Sequence, residues 1–177
     1  PHVQKNIPLD VLKDLIPVAS MVNAPQIIAM STTVPAKNAR EFIALAKAKP
    51  NTFNYGSAGR GSFPHLSAAE FARAAGIQMV HVPYKGNAPA IADLLAGRVQ
   101  IVSSSIGSLR AGIQSGKVRL LLSATKERLP YLPDLPAAPE VGLPSYVLGA
   151  WVGVIAPAGT PAPVVARIHA LVDGMLK

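Results

Sequence analysis

Short apolar runs alternate with helix-periodic segments along most of this chain, and a proline or glycine marks many of the changes between them. That alternation restricts the fold more than any single residue does. A strand–helix repeat with short loops buries its apolar faces as a parallel sheet covered by helices on both sides. Residues 26–30 read as a buried strand. Residues 38–49 follow, with Ala39, Phe42, Ile43, Leu45 and Ala46 at helical spacing and Pro50 as the stop. A strand is expected at residues 53–55, then a helix from about Ser62 to Ala75 with Pro64 in its first turn and Gly76 past its end. Residues 79–82 read as the next strand, and Asn87 is placed to cap a helix running through Ala96. Residues 99–102 and 118–123 read as strands on either side of a short helix at 106–113. The proline-rich stretch 129–144 suits neither a helix nor a central strand and is expected to form a surface loop. Residues 151–155 read as a last strand, and a helix starts after Thr160 and Pro161. The expected class is α/β, with a mostly parallel sheet, right-handed crossovers and ligand-binding loops at the carboxyl ends of the strands.

Three of those strand ends carry the residues that suggest chemistry. Tyr55-Gly56-Ser57-Ala58-Gly59-Arg60-Gly61-Ser62 joins a strand to a helix through three glycines. Glycine reaches backbone angles that let successive N–H groups converge, and a helix start adds unpaired donors and a partial positive charge. Such a loop can hold a carboxylate, phosphate or sulfate, and it can equally be no more than a tight corner. It is not a phosphate-binding P-loop, because Ser62 stands where a lysine is required. Its glycines also miss the dinucleotide spacing. Pro83-Tyr84-Lys85-Gly86-Asn87 and Ser103-Ser104-Ser105 occupy the same position after other strands. The serines could simply cap a helix, Lys85 could be a solvated turn residue and Tyr84 could pack on the sheet edge. If the three loops face one crevice, binding is the better reading for all of them.

The formal net charge of +8 favours anionic partners. Lysines and arginines are spread without blocks or interleaved aromatics, which disfavours nucleic acid. No run of 18 apolar residues suggests direct membrane insertion, and no signal peptide opens the chain. With no cysteine there is no disulfide or thiolate metal site. No nucleophile elbow, zinc-binding helix or carboxylate pair appears. His65 and His81 sit in different elements without a third metal ligand. Neither an enzyme, a cofactor nor a metal is expected.

A resemblance then covers the whole chain. Asn54-Tyr55-Gly56-Ser57-x-Gly59-x-Gly61-x-x-x-His65-Leu66, Val80-x-Val82-Pro83-Tyr84-Lys85-Gly86 and Ala88-Pro89-Ala90-x-x-Asp93-Leu94-Leu95-x-Gly97 follow in order. Val34-Pro35-Ala36-Lys37, Glu140-x-Gly142-Leu143-Pro144 and Ala156-Pro157-Ala158-Gly159-Thr160-Pro161 agree with them. This pattern resembles the Bug-type, or TctC, solute receptors of tripartite tricarboxylate transporters. The resemblance implies a type II periplasmic binding protein with two α/β lobes and a ligand cleft between them. It implies a periplasmic receptor that is not an enzyme and hands a small carboxylate to a membrane permease. Residues 1–22 would then be a crossover or hinge region from the first lobe, 23–145 the second ligand-binding lobe, and 146–177 a return segment of the first lobe. More of the first lobe would precede Pro1, with the signal peptide, and a further segment would follow Lys177. The second lobe's ligand-binding residues would be Tyr55, Gly56, Ser57, Ala58, Gly59, Gly61, Ser62, His65, Tyr84, Lys85, Ser103, Ser104 and Ser105. Gln100 and Ser103-Ser104-Ser105 depart from a family pattern that often has acidic residues there. Ser104 cannot pair with a ligand ammonium, which points to a di- or tricarboxylate, or an aromatic acid, without an amino group. Two alternatives remain open: a ligand-sensing lobe of a transcription regulator, and an enzyme of related two-lobed fold.

Overall fold

A computed structural model describes residues 8–176, which divide into two compact units. The larger spans residues 25–149. Its five-stranded sheet runs β4 (Val80–Pro83), β3 (Asn54–Ser57), β5 (Ile101–Ser104), β2 (Ile27–Ser31), β6 (Val118–Ser123) from edge to edge. β3 pairs in parallel with β4 and β5, whereas β2 pairs antiparallel with β5 and β6. Four strands therefore share one direction and β2 opposes them.

Helices cover both faces of this sheet, which is why its strands read as continuous apolar runs instead of alternating ones. On one face α2 (Ala39–Ala48) and α3 (Phe63–Ala75) place Phe42, Ala46, Ala68 and Phe71 against Ile28, Met30 and Ile101. On the other, α4 (Asn87–Leu95) and α5 (Ile106–Gln114) set Leu94 and Leu109 against Ile27, Ala29 and Val102. Every residue of β2 is buried.

The helix boundaries follow local capping chemistry. The Asn38 side chain accepts the Glu41 N–H at the start of α2. Ser62 accepts the His65 N–H at the start of α3, and Gly76 ends that helix in the left-handed region at φ 62°. Asn87 does not cap α4. Gly86, at φ 127°, holds the N-cap position, and Asn87 is the first helical residue. The proline-rich stretch is not purely superficial either. Ala138–Val141 forms a short 3-10 helix, and Leu135, Ala137, Ala138 and Leu143 are buried. Proline excludes ladder hydrogen bonding here but not burial.

The second unit combines residues 8–24 with 150–176. β1 (Leu15–Pro25) pairs with β7 (Gly149–Pro157), accompanied by α1 (Val11–Asp14) and α6 (Ala162–Met175). Of the expected hinge segment 1–22, the first seven residues lie outside the described ones. The rest holds α1 and much of β1, a strand hidden in the sequence by Pro17 and by the lack of alternation. Among the described residues, no helix is long and apolar enough to cross a membrane.

Candidate functional site

β4, β3 and β5 are sequential neighbours in the sheet and share a direction, so their carboxyl ends lie along one edge. The loops after them are residues 58–62, 84–86 and 105, each followed by a helix. The structure thus brings all three expected loops together. Contacts bind them into one surface. The Tyr84 N–H donates to the Ser57 carbonyl at 3.0 Å. The Asn87 amide donates to Ser104 Oγ at 2.8 Å. A methyl group added at Gly59 would come within 3.4 Å of the Tyr84 carbonyl.

The loop after β3 is locked by its own atoms. The Gly59 carbonyl accepts from Ser57 Oγ at 3.2 Å, from Ser62 Oγ at 2.7 Å and from the Ser62 N–H at 3.2 Å. The Gly59 N–H returns to Ser57 Oγ, and the Gly61 N–H donates to His65 Nδ1 at 3.0 Å. Gly59 at φ 120° and Gly61 at φ 77° supply the backbone angles this closure needs. The serine hydroxyls and the Gly59 and Gly61 amides are therefore spent within the loop. Among the described residues, the Ala58 and Arg60 N–H groups are left with no protein acceptor. The N-termini of α4 and α5 add further donors, because neither has a side-chain cap. This edge offers backbone N–H groups and helix-dipole charge to an anion.

Beneath the loop lies an aromatic stack. The Tyr55 and His81 rings are 4.9 Å apart, and the His81 and His65 rings 4.0 Å apart with 21° between planes. His81 Nε2 meets Ser57 Oγ at 2.7 Å. Burial, then the neighbouring His65 and Arg60, press His81 down to about 4. Burial and Arg60 also lower His65. Both rings are neutral near pH 7. Burial raises the Tyr55 phenol, against an opposing pull from Arg60.

Three expected site residues turn elsewhere. Ser103 is fully buried, and its hydroxyl sits 2.8 Å from Ser67 Oγ, which in turn meets Tyr146 Oη at 2.8 Å. It also reaches Gln26 Oε1 at 3.3 Å. Ser103 therefore knits the core instead of facing the edge, because it shares a strand face with Ile101 and lies on the α3 side. The Tyr84 hydroxyl donates to Asp93 Oδ2 at 2.6 Å, and Arg98 holds the same carboxylate. Burial and the Asp93 bond push Tyr84 up to about 12, so its polar end is engaged within α4. Tyr55 is 6% exposed and underlies the loop. Gly56, also buried, leaves room for its neighbours: a methyl there would come within 3.3 Å of Ala90, Tyr84 and Val99.

Ser104 is buried and bonded to Asn87, and Ser105 Oγ lies 3.2 Å from Ser108 Oγ at the α5 start. Arg60 and Lys85 are exposed. The link that Asn87 makes between two loops is not visible in the sequence, where Asn87 and Ser104 lie 17 residues apart. Among the described residues, no cluster of three histidine or acidic side chains could hold a metal ion.

Comparison with known proteins bears on the family and the fold. The sequence model of the "Tripartite tricarboxylate transporter family receptor" (TctC) matches residues 1–176. A UPF0065 protein from the tcbD–tcbE intergenic region of Pseudomonas sp. is 34% identical over 168 residues, covering 94% of this chain and 50% of that protein. BugT of Bordetella pertussis is 29% identical over 172 residues, covering 97% and 53%. The chain spans about half the length of these curated relatives. Among solved structures, an R. palustris protein with adipate superposes at TM-score 0.91, with 31% identity over 96% of this chain and 57% of that one. MatC from Rhodopseudomonas palustris with bound malate superposes at 0.85, with 34% identity over 92% and 55%. The architecture is that of a periplasmic binding protein.

Proposed function

Because the chain belongs to the tripartite tricarboxylate transporter receptor family, we propose that the full-length protein is a periplasmic receptor, not an enzyme, that captures a small carboxylate and delivers it to a membrane permease. The observation that carries this reading is the edge where three strand-to-helix loops meet, with two helix N-termini that lack a side-chain cap. Residues 25–149 serve as one ligand-binding lobe. The other lobe includes residues 8–24 and 150–176.

One carboxylate of the ligand accepts from the Ala58 and Arg60 N–H groups and from the first turns of α4 and α5. Lys85 and Arg60 strengthen the local positive field. The loop residues Gly56, Ser57, Gly59, Gly61, Ser62 and His65 hold the donors in place, and Ser104 fixes the α5 start through Asn87. The site lacks an acidic side chain at Ser104, which favours a di- or tricarboxylate, or an aromatic acid, over an amino acid. The relatives solved with adipate and malate support that class.

Calorimetry on the full-length receptor tests this with adipate, malate, citrate, benzoate and glutamate. Binding of at least one acid that lacks an amino group, with glutamate much weaker, is expected. Preference for glutamate, or no binding by any acid, would overturn it.

A further inference from the structure

His65 and His81 are stacked at 4.0 Å directly under the loop that closes this edge. Their contacts say more than packing does. A backbone N–H can only donate, so the Gly61 N–H fixes His65 Nδ1 as an unprotonated acceptor. A proton added there would turn the nitrogen into a second donor facing the first, and the bond that holds Gly61 would be lost. His81 Nε2 meets Ser57 Oγ, the atom that also receives the Gly59 N–H. A charge on His81 would lie against the facing ring of His65. We propose that His65 and His81 are positioning residues for the loop of residues 57–62, holding it in its anion-facing form only while both rings are neutral. This rests on the carboxylate reading above for its functional meaning, and on the Gly61–His65 hydrogen bond and the 4.0 Å ring stacking for its structural one.

The surroundings favour the neutral pair from every side. On β3 the facing titratable group is the Tyr55 phenol, which stacks on His81. The loop contributes the Arg60 guanidinium, which acts on both rings. α3 contributes His65 itself. The acid on that helix, Glu70, is committed to Arg73 at 2.6 Å. β4 is the edge strand, so no further strand covers His81. Among the described residues, no carboxylate acts on either ring. Protonation of the pair therefore puts two adjacent cations beside a third with no internal counter-ion, and the loop must open to separate them. A receptor built this way releases its ligand in acid.

Two arms test the proposal in the full-length receptor. The first needs no ligand. Amide NMR follows the Gly61 resonance as pH falls from neutral toward 4. The resonance should move with the histidine ring signals in the native protein and stay still in the His65→Asn, His81→Gln double variant, where an amide oxygen accepts the N–H and neither position titrates. The second measures adipate affinity. At neutral pH His65→Ala should bind about tenfold more weakly, as one lost charge-assisted contact would give, and His65→Asn should recover most of that loss. On acidification to about pH 4 the native receptor should lose at least about twofold more affinity than the His65→Asn, His81→Gln double variant, since apparent affinity falls with the competent fraction. Titration of adipate itself is common to both and cancels. A Gly61 resonance indifferent to histidine protonation, or adipate binding that strengthens in acid through these rings, would overturn the proposal. If adipate binds at no pH, the second arm uses whichever acid the calorimetry above identifies; if none binds, the carboxylate reading fails and the first arm still decides the positioning role.

Discussion

Gly59 concentrates the loop's chemistry in one residue. Its φ of 120° is open to glycine alone at low cost, and its carbonyl gathers three donors. Gly59→Val strains that backbone and crowds the Tyr84 carbonyl. Adipate binding by the full-length receptor should weaken about tenfold or more, the scale of losing one hydrogen bond to a charged group. Lys85→Ala should cost less, and its effect should fade with added salt, because an exposed charge acts through a screened field. Titrations of both variants at low and high salt check this, and a salt-independent loss in Lys85→Ala would point to a direct ion pair. Tyr146 belongs to a different function at the same scale. Burial pushes its phenol up to about 12 while it bonds Ser67. Tyr146→Phe leaves buried hydroxyls short of a partner and should lower stability by about 1–3 kcal/mol in urea unfolding, with ligand affinity little changed. The loop was legible in the sequence because Gly56, Gly59, Gly61 and the serines punctuate it. The direction of Ser103 was not. Ile101 and Val102 are both apolar, so nothing in β5 marks which parity faces which helix layer.

The five helices expected from the sequence were placed to within a residue or two, α2 and α3 because caps are local chemistry: Asn38 with Glu41, Ser62 with the His65 N–H, and Gly76 in the left-handed region; α1 was missed. Strand positions were legible except for β1, but strand direction was not. An apolar run such as Ile27-Ile28-Ala29-Met30 is the same read either way, and the reversed β2 owes its direction to long-range pairing. How closely helices approach is also invisible until they are packed. Gly112 shows this on α5, where an added methyl would come 2.6 Å from Val118 Cγ2 and 2.8 Å from Leu95 Cδ2. Gly112→Ala gains helix propensity of up to about 1 kcal/mol, but overpacking costs about 1–3 kcal/mol. The variant should melt at lower temperature, and a stabilised protein would mean that Leu95 and Val118 yield more easily than their packing implies.

Across the whole molecule, apolar burial is uneven. Both core clusters lie within residues 25–149. Among the described residues of the other unit the buried apolar side chains are Val18, Ala156 and Val172, while Trp151 is 62% exposed, Leu171 60% and Met175 72%. Exposed apolar side chains of this size favour association. A fragment of residues 25–149 should remain monomeric and unfold cooperatively, while residues 1–177 alone should bind a hydrophobic dye and associate as concentration rises. Sedimentation of the two would reverse this expectation if the shorter fragment proved the stickier. Fold class was legible at this scale, because alternation of strands and helices decides it. The uncovered face was not, because neither β1 nor α6 carries a sequence signal for what lies against it. The reversed β2 has a further consequence in time. Ile27 pairs with Ser104 on one side and Ser123 on the other, so the first strand of this sheet to be synthesised finds its neighbours only after nearly all the others exist. Closing such distant pairs is entropically slow. A nascent chain ordered this way stays open until late, which would suit the periplasmic receptor proposed above, since such a protein is threaded across a membrane before it folds.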